Sequence, residues 1–163
     1  MNARPDIPET APPPGGGLSL IFPVAGEDAG EDFRGFATAR GETLVRRSLR
    51  SFHPFAHLID KIYYIVLEEH ECRFDIARRL AREIPDLPFE VVRLSSPTLG
   101  PAESVARGVA KGAIRGRAIV CDIDHRLDVE PLFDAMANRP QRECLAALWP
   151  LAGEDLKRWS VAC

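Results

Sequence analysis

Asp122-Ile123-Asp124 is the part of this sequence whose residue types and spacing most directly suggest chemistry. The tripeptide follows the apolar run Ala118-Ile119-Val120-Cys121, which reads as a buried strand. Carboxylates at i and i+2 of an extended backbone point to the same side. Two like charges held that close are costly unless a cation or protons offset them. A divalent ion resolves this when it also holds phosphate oxygens, because Mg²⁺ commonly takes one or two carboxylates plus substrate phosphates. Asp122 and Asp124 are therefore the candidate ligands for Mg²⁺ or Mn²⁺. The alternative is a solvated loop in which Asp124 caps a short helix. His125 follows directly and either touches a ligand there or, as a lone histidine more often does, faces solvent.

Two further loops carry residues suited to a ligand. Pro23-Val24-Ala25-Gly26 closes an apolar run, and a glycine there allows a ligand to approach the backbone closely. The loop continues Glu27-Asp28-Ala29-Gly30-Glu31-Asp32-Phe33-Arg34, so four carboxylates stand where a phosphate cradle would need positive charge. Arg34 and Arg40 are the nearby cations. No Gly-Lys-Ser/Thr follows, so this is not a Walker loop. The other loop, Ser95-Ser96-Pro97-Thr98-Leu99-Gly100-Pro101-Ala102-Glu103-Ser104, turns into a helix through small residues that leave room for a flat group such as a nucleobase. It reads equally well as a locally capped helix start, with Glu103 favourable in the first turn. Trp149 and Trp159 read as core or edge residues rather than as base-stacking platforms.

The elements that must position these loops alternate. Strands are expected over 18–25, 61–67, 89–94, 117–121 and 144–149. Helices are expected over 43–52, 69–84, 101–113 and 131–137. The first strand, Leu-Ser-Leu-Ile-Phe-Pro-Val-Ala, is apolar almost throughout, as in a sheet covered on both faces. The expected fold is α/β, a Rossmann-like three-layer sandwich with a mostly parallel sheet. Ligands on such sheets bind at the carboxyl ends of the strands, where all three loops fall. Residues 1–17, rich in proline and glycine, read as a disordered leader, and 18–163 as a single α/β domain.

Composition narrows the partners. With 21 Lys+Arg against 24 Asp+Glu, the net charge of −3 offers no global field for nucleic acid or anionic lipid. Arg46, Arg47 and Arg50 form a local basic group that reads as a solvated helix face. No apolar run approaches the ~20 residues of a membrane span, and no signal peptide is expected. Cys72, Cys121, Cys144 and Cys163 include no Cys-x-x-Cys pair. They read as reduced thiols in a cytoplasmic protein.

Taken in order, these segments resemble the sugar-nucleotide nucleotidyltransferase-like superfamily, whose fold is shared with GT-A glycosyltransferases. The resemblance rests on Pro23-Val24-Ala25-Gly26, Gly41-Glu42-Thr43-Leu44, Thr98-Leu99-Gly100-Pro101-Ala102 and Cys121-Asp122-Ile123-Asp124, and it extends from about Leu18 to Trp149. It implies a nucleotide or nucleotide-sugar held by Ala25, Gly26, Thr98, Gly100, Pro101 and Ala102, with Mg²⁺ on Asp122 and Asp124. Where the family carries Gly-x-Gly-x-Arg and a Pro-Lys-Pro lysine, this chain has no lysine between Gly26 and Gly41. Arg34, with Asp122, is then the candidate for the catalytic role, although an arginine is not an equivalent point charge.

The sequence also ends before the half-domain that supplies the family's sugar site, which leaves a second copy of the chain, or another subunit, as an expected source of the rest. Two function classes follow. One is a nucleotidyltransferase-like or glycosyltransferase-like protein. The other is a non-catalytic binding or assembly module that keeps the fold. Asp-x-Asp is also the nucleophile motif of haloacid-dehalogenase phosphohydrolases, but there it ends the first strand and here the fourth.

Overall fold

The computed structural model describes residues 17–26 and 32–138. The expected leader through residue 16, positions 27–31 of the acidic loop, and the expected strand 144–149 lie outside the described residues. The chain divides into two compact units, Met1–Val129 and Glu130–Cys163.

The first unit is built on a four-stranded sheet of β1 (Leu18–Val24), β4 (Ile59–Leu67), β5 (Phe89–Leu94) and β6 (Arg117–Val120). The strand order is β5-β4-β1-β6, and every pairing is parallel. The four strands fall within two residues of the expected ones, because a parallel strand covered on both faces is apolar nearly end to end. β2 (Thr38–Ala39) and β3 (Glu42–Thr43) form a separate antiparallel hairpin. Its two-residue turn, Arg40-Gly41, has positive φ at both positions (55° and 79°), the backbone twist that tight hairpins require.

Helices cover both faces. On one, α4 (Pro101–Lys111) sets Val105 and Val109 against Ile21, Ile65, Val92 and Ile114. On the other, Leu20 and Ile62 line a cavity of about 450 Å³ together with Leu49 of α1 (Leu44–Leu49), Phe52 and Ile84. This cavity lies at the amino ends of the strands. The arginines at its rim are paired, Arg46 with Glu83 at 2.8 Å and Arg50 with Glu42 at 2.9 Å. Arg46 and Arg50, two of the three arginines of the expected basic group, are thus each offset by a carboxylate.

The helix expected over 69–84 is two helices, α2 (Glu68–Phe74) and α3 (Ile76–Glu83), broken at Asp75. Asp75 is left-handed, with φ at 50°. Aspartate is among the few residues other than glycine that visit this region. The helix expected over 43–52 ends at Leu49 and passes into a 3₁₀ segment, His53–Leu58. The described part of the second unit is α5 (Glu130–Ala137), with Phe133 buried.

The connections fix where a ligand can sit. From β1 the chain steps to β4 and β5 on one side, then returns through α4 to β6 on the other side of β1. The strand order therefore reverses between β1 and β6. Crevices at such reversals, outside the carboxyl ends, are where open α/β sheets bind ligands.

Candidate functional site at the carboxyl ends of β1 and β6

β6 hands its ladder on to the acidic loop. Cys121 N–H donates to the Ile21 carbonyl at 3.0 Å, extending the β1–β6 pairing by one residue. Asp122, Ile123, Asp124 and His125 follow at once. Ile123 is buried and anchors the loop, while Asp122 is exposed and Asp124 half-buried. One ligand atom each from Asp122, Asp124 and His125 lie within 4.8 Å of one another. His125 Nδ1 stands 3.0 Å from Asp124 Oδ1 and 3.4 Å from Asp122 Oδ2. The sequence reading inclined His125 toward solvent. The fold instead turns it back between the two carboxylates.

Arg34 comes to the same place from the β1 side. It opens a 3₁₀ turn, Arg34–Phe36, and its guanidinium pairs with Asp124 Oδ2. The turn is fixed from below by buried Phe33, Gly35 and Phe36. Gly35 is required here. A Cβ at that position would lie 2.6 Å from Ile123 Cδ1 and 2.9 Å from Val45 Cγ2. Close backbone packing at Gly35 is thus part of what brings Arg34 over Asp124. Arg79 braces the turn from outside. Its guanidinium lies 3.9 Å above the Phe36 ring and makes two bonds, of 2.7 and 3.2 Å, to Asp32. Arg79 beside Asp32 holds that carboxyl below the usual aspartate range.

The expected nucleotide-binding residues form a second group. The loop after β5 reaches over to β1, and Thr98 Oγ1 donates to the Ala25 carbonyl at 3.5 Å. The same hydroxyl lies 2.6 Å from buried Ser104 Oγ, so Thr98 is held against the start of α4. Gly100 stands at the N-cap of α4 and has no side chain to cap the first turn; Pro101 opens the helix. Leu99 N–H is taken by Glu103 Oε2 at 2.7 Å, and Arg107 holds Pro97 O and Ser96 Oγ. Gly26, Pro101 and Ala102 are exposed, and Ala25 is fully buried. The structure therefore joins Arg34, Asp122 and Asp124 in one cluster, and Ala25, Thr98 and Gly100 in another. β1 ends between them.

Two positions matter that the sequence did not mark, Ser48 and Ser51, and Leu99 of the expected loop gains weight from its exposure. Ser48 on α1 donates to the Asp122 carbonyl at 3.3 Å, and Ser51 Oγ accepts Leu127 N–H at 2.8 Å. Leu99 stands fully exposed beside Thr98. Ser48 sat within an apolar helical stripe in sequence, which gave it no signal of its own. Cys121 lies directly beneath the acidic pair, and burial pushes its thiol up to about 11, so it is a protonated, inert thiol at neutral pH.

No family model and no curated protein matches this sequence. The fold is similar to the crystal structure of a nucleoside-diphosphate-sugar pyrophosphorylase from Vibrio cholerae RC9, with 23% sequence identity and a TM-score of 0.51. The match covers 64% of this chain and 47% of that one, so the chain spans about half of that protein's length. At that identity the likeness establishes a shared fold. The α/β, Rossmann-like architecture with its parallel sheet is of the nucleotide-sugar transferase type. Among the described residues no helix is long and apolar enough to cross a membrane.

Proposed function

We propose that this chain is a nucleotidyltransferase-like module that binds a nucleotide or nucleotide-sugar together with Mg²⁺ or Mn²⁺. The observation that carries the reading is the convergence of Asp122, Asp124 and His125 at the β1/β6 reversal, in a fold shared with a pyrophosphorylase. The two carboxylates suit a hard divalent ion, while the imidazole nitrogen is a borderline ligand that Mn²⁺ accepts more readily than Mg²⁺ does. Such an ion, when bound, would neutralise phosphate charge and orient the phosphate chain.

The protein's own residues supply the rest of the reading. Just past β1, exposed Gly26 offers small-residue backbone that a base or ribose can approach, beside buried Ala25. Thr98, Gly100, Pro101 and Ala102 form the facing wall. Arg34 is the cation best placed to meet a phosphate, since it already stands over Asp124. For catalysis, a sugar-phosphate oxygen would attack the α-phosphorus of a nucleoside triphosphate and release pyrophosphate, or an acceptor hydroxyl would lose its proton to water and displace nucleoside diphosphate from the anomeric carbon of a nucleotide-sugar. In either case the rate would depend on charge stabilisation by Arg34 and on positioning.

A binding module without turnover is the second reading. It is favoured by the absence of lysine between Gly26 and Gly41 and by the engagement of Arg34 with a carboxylate. Both readings share the ligand. A calorimetric screen of nucleoside di- and triphosphates and their sugars, with Mg²⁺ and then with EDTA, tests it. Metal-dependent binding of at least one of them is expected, and no binding in either condition overturns it.

A further inference from the structure

We infer that Arg34 is a latch on the candidate metal site. Its guanidinium occupies Asp124 Oδ2, and a divalent ion entering among Asp122, Asp124 and His125 competes with it for that carboxylate. The inference rests on the metal reading above and adds an internal competitor to it.

The geometry is specific. Asp124 Oδ2 is taken by Arg34, and Asp124 Oδ1 faces His125 Nδ1 at 3.0 Å, so both oxygens of the less exposed carboxylate are engaged. A divalent ion on Oδ2 replaces the guanidinium, and one on Oδ1 draws on the same carboxylate charge and repels it. The two partners differ in freedom. The Asp124 side chain is 17% exposed and the Arg34 side chain 67%. The backbone under Arg34 is held by Phe33, Gly35 and Phe36, all buried. Displacement therefore needs only the arginine side chain to rotate into solvent, with the loop unchanged. With its guanidinium side open to solvent and screening, the pair is weak enough for a divalent ion to break. Once released, the guanidinium stands free at the strand ends, where it can make bidentate bonds to a phosphate. Metal entry and anion capture are then coupled through one side chain. Without metal, Arg34 offsets the charge of Asp124 and is withheld from anions.

The test uses the full chain and Mn²⁺ or Mg²⁺ alone. Free Mn²⁺ is followed by electron paramagnetic resonance for the parent, Arg34→Gln and Arg34→Lys. In parallel, the arginine side-chain Nε–H signals of the parent are followed by NMR during a Mg²⁺ titration, with the Arg34 signal assigned by its loss in Arg34→Gln. The latch predicts that Arg34→Gln binds Mn²⁺ about two- to fivefold more tightly, the scale of a lost exposed ion pair. Arg34→Lys, which keeps the charge without the fork, should fall between. The Arg34 Nε–H signal should shift saturably, with the same midpoint as metal binding. If the parent binds metal but Arg34→Gln binds no more tightly, or if the Arg34 signal stays fixed at saturating Mg²⁺, the latch is wrong and the metal reading stands. If neither folded parent nor folded variant binds metal, both fall.

Discussion

Ser48 on α1 donates its hydroxyl to the backbone carbonyl of Asp122 at 3.3 Å, across 74 positions of chain. The Cys121 thiol reaches the same carbonyl at 3.3 Å, and three residues along α1's direction Ser51 accepts the Leu127 amide. The acidic loop is thus gripped by a helix from the other end of the sequence. Ser48→Ala removes one grip while the carbonyl keeps the thiol. The expected cost in stability is about 1 kcal/mol, the usual net value of one such bond. Mn²⁺ affinity should fall by a few-fold as Asp122 loosens. Urea unfolding and a Mn²⁺ titration check the two parts separately. Unchanged metal affinity would mean that α1 does not position the site.

Leu99 carries no weight in the fold, because its side chain is fully exposed while its amide is tied to Glu103. If it forms an apolar wall for the base, Leu99→Ser should weaken nucleotide binding by about 1 kcal/mol, roughly fivefold. The melting temperature should not move. Equal affinity in parent and variant would place the base elsewhere.

Gly108 lets α4 approach β4. A Cβ there would lie 2.3 Å from Ile65 Cδ1 and 2.6 Å from Ile65 Cγ1. Alanine is the better helix former by roughly 1 kcal/mol, yet overpacking a core costs about 1–3 kcal/mol. Gly108→Ala should therefore destabilise on balance, and Ile65→Val should recover part of the loss in the double variant. Denaturant unfolding of the two single variants and the double variant tests this. A stabilised Gly108→Ala would show that the contact is slack.

Cys72 is exposed and Cys121 buried, and burial holds the Cys121 thiol at about 11. Because the thiolate is the reactive form, a raised value keeps Cys121 protonated through neutral pH and lets it react only as pH climbs toward 11. Iodoacetamide at pH 7.5, followed by peptide mass spectrometry, should label Cys72 and spare Cys121. Comparable labelling of both would mean that the floor of the acidic loop is open to solvent.

Much of the frame was legible because parallel strands announce themselves as continuous apolar runs, and because Pro101 marks a helix start. What stayed hidden was non-local or locally cancelled. The break at Asp75 lies within an apolar periodicity that runs on through Phe74, Ala77 and Leu80, so only the left-handed backbone reveals it. The Asp122–Asp124 pair was visible from spacing, and Arg34 and His125 stood as candidates beside it, but that both close on Asp124 depends on the fold. His125 returns to the carboxylates through loop geometry. Arg34 reaches Asp124 only because β1 and β6 are neighbours and Gly35 packs against Ile123.

If Asp122 and Asp124 bind a nucleotide through a divalent ion, the parent and Asp122→Asn must differ in calorimetric titrations of the best nucleotide or nucleotide-sugar, run in Mg²⁺ and in EDTA. Asp122→Asn is expected to weaken binding in Mg²⁺ and to change it little in EDTA. Equal binding by both proteins in both conditions contradicts the metal assignment, and an equally strong loss in EDTA shows that the carboxylate serves the fold instead.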